Sequence, residues 1–190
     1  MKWYWYPAAA LTFILGWVYR LTIQVVWNVL INLFWFIRFT VTWKWPTVYK
    51  EVKRINRRVK SIADAMIEYR KFRYEYDGIT KDAKGIFKFL NMYPTWTAHP
   101  WILVGRGLEG NCMDAVIYGK WLLRKVPNKV RADVQIYIPL KPFSPLRKVH
   151  YYMSISKYQQ WSNGKISTES KMDLARRYLR NKDAIVVFLQ

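Results

Sequence analysis

The sequence has little of several things that common protein classes need. It holds one cysteine and two histidines in 190 residues, and 12 acidic residues against 32 lysines and arginines. A single cysteine excludes an intramolecular disulfide and leaves the redox compartment open. The sequence contains no zinc-type cysteine cluster, no Walker loop and no dinucleotide-binding glycine motif, so we expect neither a metal nor a cofactor. The length suits one globular domain plus an appendage.

The scarcity of acids leaves a formal net charge of +20. Such a charge predicts attraction to polyanions, which include nucleic acid, anionic lipid and acidic proteins. The 11 tryptophans and 14 tyrosines are many for a nucleic-acid-binding protein. Much of the aromatic content lies near the N-terminus, where acids are absent, so the pattern favours a lipid bilayer over nucleic acid as the partner.

Residues 1–45 are almost wholly apolar or aromatic, which predicts a membrane-anchoring segment. The uncharged run from Leu21 to Ile37 is close to the ~20 residues that cross a hydrocarbon core. Tryptophans and tyrosines lie at both ends of the segment, as they do at membrane interfaces. One long tilted helix, or a short interfacial helix before Arg20 followed by a span, would fit. A cleaved signal peptide fits poorly, because the basic start is one lysine and no clear cleavage site follows.

Polar residues recur every fourth position within this apolar segment, at Arg20, Gln24, Asn28 and Asn32. On a helix they form one slowly winding polar stripe. Two interpretations stay open. The segment could be a monomeric anchor whose polar groups snorkel or find water. Alternatively, the stripe faces helices of other copies and makes the protein a membrane homo-oligomer.

Residues 46–70 are predicted to form a basic amphipathic linker helix. Basic residues beside a span favour the cytoplasmic side, so we expect a membrane protein whose C-terminal domain is cytoplasmic. Apolar residues follow alternating steps of four and three, at Val48, Val52, Ile55, Val59, Ile62, Met66 and Tyr69. This seam could form a coiled coil or pack onto its own domain, and the second is the commoner outcome.

Residues 71–190 combine a helical part with a later strand-rich part. Strands are predicted over 134–138, 149–155 and 184–189, and Asn163-Gly164 is a hairpin signal. A helix is predicted after Asn111, because apolar residues recur there with helical spacing until Pro127. Helices first and strands after predict an α+β domain with helices packed on an antiparallel sheet.

The single cysteine lies where a glycine-rich loop should become a helix. Asn111 is a suitable N-cap, which puts Cys112 in the first turn, where unpaired N–H groups and the helix dipole favour a thiolate. A nucleophile also needs a base, and His150 on a predicted strand is the candidate. Without such a base, a lone cysteine on an amphipathic helix is usually a small core residue.

The box Gly110-Asn111-Cys112-Met113-Asp114, then His150 opening a strand and Asn163 beyond Trp161, resembles the transglutaminase-like cysteine peptidase superfamily. The resemblance covers about residues 70–190 and implies a papain-like fold. Asn111 stands where the family usually has an acid. The resemblance implies a Cys-His-Asn triad acting on a peptide or amide substrate without a cofactor.

The expected roles follow from the chemistry of the three side chains. Cys112 would attack a carbonyl as a thiolate, and His150 would hold the ion pair and then protonate the leaving amine. Asn163 would orient the other ring nitrogen of His150. Asp173 and Asp183 could take that third role, but neither lies at the expected strand edge. The position of Asn163 before Gly164 is equally well explained by turn formation.

These features favour a membrane-anchored, transglutaminase-like thiol enzyme, more a cysteine peptidase or amidase than a crosslinking enzyme. The alternative is an inactive structural or membrane-inserting protein, of the kind found in phage or bacterial envelopes, that uses the same fold as a binding module. In a third hypothesis the charge matters most and the protein binds polyanions.

Overall fold

The computed structural model describes residues 22–74, 97–127, 130–139, 150–156, 159–170, 172–176 and 184–189, together with isolated positions before residue 22. Its helices are α1 (Ile23–Val41), α2 (Trp45–Arg58), α3 (Ile62–Tyr69), α4 (Pro100–Gly105) and α5 (Cys112–Leu123). Its strands are β1 (Arg73–Tyr74), β2 (Glu109–Gly110), β3 (Asp133–Pro139), β4 (His150–Ser156), β5 (Gln159–Ser162), β6 (Lys165–Ser167) and β7 (Ala184–Leu189).

The sheet that carries His150 is antiparallel and has the strand order β6-β5-β4-β3-β7. Helix α5 packs on β4 and β5, and α3 packs on α5. The methyl group of Met153 on β4 lies against Gly119 of α5, where a larger residue would collide with it. The predicted mixture of helices and antiparallel strands is confirmed, and β3, β4 and β7 begin and end within one or two residues of the predicted bounds.

The predicted hairpin joins β5 to β6. Asn163 and Gly164 both have positive φ, 52° and 76°, as the central residues of a type I′ turn do. A Cβ atom on Gly164 would overlap the carbonyl oxygen of Phe72, so the turn packs directly on the chain between α3 and β1. This contact fixes the end of β5 close to the C-terminus of α3.

The prediction of one helix over 46–70 is wrong, because two helices cover this range. Helix α2 ends at Arg58, and Ser61 begins α3 with a capping box. The Asp64 N–H donates to Ser61 Oγ (3.2 Å), and the Ser61 N–H donates to the Asp64 carboxylate (2.9 Å). The seam lies in the chain's own core, where Val48, Val52, Ile55, Val59 and Tyr69 are buried and Ile62 and Met66 pack against them.

Helix α1 covers most of the predicted span. Among the residues that the structure describes, no helix combines the length and the apolar character needed to cross a bilayer. Phe39, near the end of α1, is buried in the domain core and lies against Gly105. Many large apolar side chains earlier on the helix are more than half exposed: Val25, Val26, Val29, Leu30, Leu33, Phe34, Phe36 and Ile37. Two residues of the predicted polar stripe, Asn28 and Asn32, bond to the backbone of residues 97 and 99 in the same chain.

Candidate active site

Cys112 is the first residue of α5, and Asn111 is its N-cap as predicted. The Asn111 Oδ1 accepts hydrogen bonds from the N–H groups of Met113 (2.8 Å) and Asp114 (3.0 Å). In return, the Asn111 N–H donates to Asp114 Oδ2 (3.2 Å), which completes a capping box. The backbone on both sides of the sulfur is therefore fixed by short-range hydrogen bonds.

Asp114 ties this helix start to a second segment. Its side chain is fully buried, and its Oδ1 accepts a hydrogen bond from the N–H of Ala98 (2.7 Å). A Cβ atom on residue 110 would overlap the Asp114 carboxylate, which explains why glycine stands there. Gly110, Asn111 and Asp114 thus have structural roles around the cysteine. Residues 98 and 110–114 are called the cysteine corner below.

The Cys112 thiol is buried, with 6% of the residue exposed. Burial raises the pKa of Cys112, while the backbone N–H of Tyr151 on β4 and those of Cys112 and Met113 act in the opposite direction. The predicted preference for a thiolate at the helix start is therefore outweighed by desolvation. At neutral pH the resting side chain is a thiol.

Tyr69 at the end of α3 lies beside the thiol. It is fully buried, and its hydroxyl has no hydrogen-bond partner within the described residues. Burial raises the pKa of Tyr69, the neighbouring Cys112 adds to the rise, and the N–H of Gly164 lowers it. The Gly164 N–H lies near the Tyr69 hydroxyl, but the two groups do not have the geometry of a hydrogen bond. The sulfur thus lies among α3, α5, β4 and the hairpin turn.

His150 opens β4, as predicted, and its ring is held by two neighbours. The Nε2 atom lies 3.1 Å from Ser162 Oγ, and the ring packs edge-on against Tyr152 with centroids 4.6 Å apart. The Ser162 hydroxyl donates to the carbonyl oxygen of Tyr151 (3.2 Å). The tautomer in which Nε2–H donates to the Ser162 oxygen puts the basic lone pair of His150 on Nδ1.

Asn163 lines the same cavity as His150 but does not make the hydrogen bond predicted for it. The partner of Nε2 is Ser162, the residue before it. The Asn163 Oδ1 is buried and has no partner in the described part of the chain. The cavity has a volume of about 580 Å³ and is called the histidine cavity; its walls are Tyr74, His150, Tyr152, Gln160, Ser162, Asn163, Lys165, Ile166, Ser167 and Thr168.

The thiol and the hydroxyl that holds the imidazole both meet the backbone of Tyr151 on β4. The N–H of Tyr151 lies against the sulfur of Cys112, and its carbonyl accepts from the hydroxyl that holds His150. Cys112 does not line the histidine cavity. The structure therefore brings His150 and Asn163 to one cavity and places Cys112 against the backbone next to it.

Sequence reasoning missed Ser162 and Tyr69 as neighbours of the site. Ser162 carried no local signal, because its contact with His150 depends on how β5 pairs with β4. Tyr69 carried no such signal, because it stood in the sequence as the last apolar residue of a helical seam. Its place beside Cys112 depends on the packing of α3 against α5.

Comparisons with known proteins give one distant likeness. No protein-family model matches the sequence, and no curated protein matches it significantly. Among solved structures, the chain is similar to that of Legionella pneumophila LapG (EGTA-treated), with a TM-score of 0.47 and 16% sequence identity over 76% of this chain and 73% of that one.

Proposed function

We propose that this protein is a membrane-attached thiol hydrolase of amide or peptide bonds, with Cys112 as nucleophile and His150 as base. The observation that supports it best is the pairing at Tyr151. One residue of β4 directs its N–H to the sulfur at the start of α5 and follows the histidine in sequence. A thiol at a helix N-terminus, against the strand that carries an imidazole, supports a thiol hydrolase, whose sulfur and base have to come within hydrogen-bond reach during the reaction.

The proposed reaction starts from the protonated thiol. Substrate binding brings the Cys112 sulfur and the His150 imidazole together. His150 Nδ1 then takes the thiol proton. The thiolate then attacks the carbonyl carbon, and the N–H of Cys112 donates to the developing oxyanion. The imidazolium protonates the leaving amine, which leaves an acyl thioester. Water, deprotonated by the same imidazole, hydrolyses the thioester and releases the carboxylic acid.

Two further residues have proposed roles beside His150. Ser162 keeps the imidazole in the tautomer that leaves Nδ1 basic, which is the task of the third member of a triad. Asn163, predicted for that task, instead has a buried acceptor oxygen on the wall of the histidine cavity. We propose that this oxygen is uncovered when substrate enters the cavity and then accepts from a substrate N–H, because a buried acceptor without a partner favours a ligand that supplies one.

One observation favours the rival function, a binding module without catalysis. The sulfur is almost completely buried and does not line the histidine cavity. If that geometry persists with ligand bound, Cys112 is a core residue and the cavity alone binds a partner. The two functions differ in whether the thiol reacts faster because His150 is present.

The deciding experiment uses 4-nitrophenyl acetate and iodoacetamide on the full chain in detergent micelles. The enzyme predicts a burst of nitrophenolate that is absent in Cys112→Ala, together with iodoacetamide labelling that slows in His150→Ala. Tyr152→Phe is the matched control, because it keeps the ring that packs against His150. No burst, with equal labelling of wild type and His150→Ala, would establish the binding module instead.

Attachment to an anionic membrane surface is the second part of the proposal. Apolar side chains of α1 are exposed, and the helix that follows it, α2, has a cationic surface. Lys53 also lies over the ring of Tyr49, 5.9 Å from its centroid, so basic and aromatic groups are adjacent, as at membrane interfaces. The cationic surface consists of Lys50, Lys53, Arg54, Arg57 and Arg58. We place the domain on the cytoplasmic side, where anionic lipids attract such surfaces.

Vesicle flotation tests this attachment. The full chain should float with phosphatidylglycerol vesicles more completely than with phosphatidylcholine vesicles, and salt should weaken the preference. The double variant Lys53→Gln, Arg57→Gln should still float but lose the preference. A wild-type chain that floats with neither vesicle, or equally with both at every salt concentration, would contradict the proposal.

A further inference from the structure

Two asparagines one helical turn apart on α1 hold a segment that has no regular secondary structure. Asn28 Oδ1 accepts a hydrogen bond from the N–H of Thr97 (2.7 Å). Asn32 Nδ2 donates to the carbonyl of Thr97 (2.8 Å), and its Oδ1 accepts from the N–H of His99 (2.7 Å). These partners lie 65 to 69 residues apart in sequence. The asparagine pair is called the amide clamp below.

The residue between the two clamped positions is bonded to the cysteine corner. Ala98 is buried, and its N–H donates to Asp114 Oδ1 (2.7 Å). The other oxygen of Asp114 accepts from Asn111 N–H (3.2 Å), one residue before Cys112. A continuous series of hydrogen bonds therefore runs from the side chains of α1, through the backbone of 97–99, to the peptide next to the nucleophile.

Near Asn28 and Asn32, hydrogen bonds and not apolar contacts hold α1 to the segment 97–99. A groove of about 1000 Å³ lies between the helix and the segment that follows Thr97, with Leu33, Phe36 and Trp101 among its walls. The apolar surfaces are therefore apart where the asparagines reach across. The position of 97–99 is set by α1 on one side and by Asp114 on the other.

We propose that Asn28 and Asn32 are positioning residues for Cys112, so that docking of the apolar N-terminal helix sets the reactivity of the thiol. The inference rests on the proposed function, because it gives the nucleophile a support outside the α+β domain. Its physical basis is that a catalytic group needs its supporting hydrogen bonds fixed to within a fraction of an ångström. The clamp therefore links attachment of α1 to catalysis at α5.

The two asparagines differ in a way that allows a sharp test. Toward the segment 97–99, Asn28 acts through its acceptor oxygen, whereas Asn32 uses both donor and acceptor. Asn28→Asp keeps the acceptor, and Asn28→Leu removes it at similar volume. Leu30→Ala is the control, because Leu30 is exposed on the same helix and does not line the groove.

The experiment measures iodoacetamide labelling of Cys112 and the nitrophenolate burst for each full-length variant in detergent micelles. We expect Asn28→Leu to label about tenfold faster, the size of one net hydrogen bond that no longer holds the segment closed. Its burst should slow by about tenfold or more, because the sulfur is less well placed. Asn28→Asp and Leu30→Ala should stay within about twofold of wild type in both measurements.

A loss of folding would also quicken labelling and slow the burst, so denaturant unfolding of each variant separates the two cases: positioning predicts both effects in Asn28→Leu at conditions where that variant is fully folded. The inference is overturned if Asn28→Leu labels like wild type, or if Asn28→Asp and Leu30→Ala change as much as Asn28→Leu does. Failure of the proposed function looks different: the wild type gives no burst. In that case the labelling comparison still decides whether the clamp holds the cysteine corner.

Discussion

At the cysteine corner the polar groups bond to one another, whereas the histidine cavity leaves an acceptor for something else. Asp114 is fully buried and accepts from Ala98 and Asn111, while Asn111 in turn caps α5. Asn163 lines the histidine cavity of about 580 Å³, and its buried Oδ1 has no partner in the described chain. The difference fits the proposed function, in which the protein itself holds Cys112 and a ligand binds on the His150 side.

The two regions also differ in how they treat charge. Burial raises the pKa of Cys112 and of Tyr69 next to it, so the neutral forms are favoured at the cysteine corner. The histidine cavity contains the exposed Lys165 and several hydroxyl groups. The buried Cys112 thiol next to the polar histidine cavity agrees with the proposed mechanism, in which the thiolate forms only when substrate is bound.

The strongest way to break the cysteine corner is Asp114→Ala. It leaves the buried N–H groups of Ala98 and Asn111 without an acceptor. At about 1–3 kcal/mol for each, we expect the free energy of unfolding to fall by about 2–6 kcal/mol. Denaturant unfolding of the full chain in detergent measures the loss.

Asp64→Ala is the matched control for Asp114→Ala. Asp64 has the same third position in the capping box of α3 but lies at the surface. Its replacement should cost much less, since water can take over the hydrogen bonds. Equal losses in the two variants would mean that the cysteine corner is no more than an ordinary helix cap.

Gly164→Ala should have the next largest effect, because it breaks the contact that keeps the hairpin turn near the site. The positive φ alone costs roughly 1–2 kcal/mol, and overlap with the Phe72 carbonyl should add about 1–3 kcal/mol. Gly107→Ala isolates the overlap, because Gly107 also has positive φ but no atom within 4 Å of a new Cβ. Unfolding midpoints of the two variants should therefore differ, and equal midpoints would exclude the overlap.

Local sequence signals predicted much of the fold and the cysteine side of the site. The bounds of β3 and β4 were predicted from short apolar runs, Asn163-Gly164 predicted the turn, and Asn111 predicted the cap of α5. Each of these depends on residues within a few positions of one another. The break between α2 and α3 was missed although Ser61 and Asp64 have the spacing of a capping box.

Long-range contacts could not be predicted in the same way. Asn28 and Asn32 were interpreted as part of a polar stripe facing water or other helices. The spacing of polar residues on a helix does not show which distant residue they bond to, here one 65 positions away. Ser162 was missed because serines are frequent in strands near turns and only the register with β4 brings this one to His150. Burial of Cys112 was missed because a helix start alone does not show what covers it.

Ser162→Ala tests the histidine cavity separately from the cysteine corner. It removes the oxygen that lies 3.1 Å from His150 Nε2, so the imidazole loses its preferred tautomer while the cysteine corner stays intact. We expect the nitrophenolate burst to slow by roughly 10- to 100-fold, with iodoacetamide labelling altered less. Thr168→Val, in the wall of the same cavity, should leave the burst unchanged. A burst equally slow in both variants would remove the orienting role of Ser162.

The smallest predicted effect is an alkaline loss of stability to which Cys112 and the neighbouring Tyr69 contribute. Burial raises the pKa of Cys112 and of Tyr69 above their ordinary values of 9.0 and 10.0. At alkaline pH the folded protein then keeps protons that the unfolded chain has released, so the free energy of unfolding falls as pH rises through this range. The contribution is fully present below the ordinary values.

Tyr69→Phe should lessen this alkaline slope and leave stability at neutral pH nearly unchanged, because the hydroxyl has no hydrogen-bond partner to lose among the described residues. Tyr49→Phe, with an exposed ring on α2, serves as the control and should keep the wild-type slope. Unfolding midpoints measured against pH decide the matter. If the pH dependence of stability is unchanged in Tyr69→Phe, water reaches the Tyr69 hydroxyl. The surroundings of Cys112 would then be as hydrated as the histidine cavity.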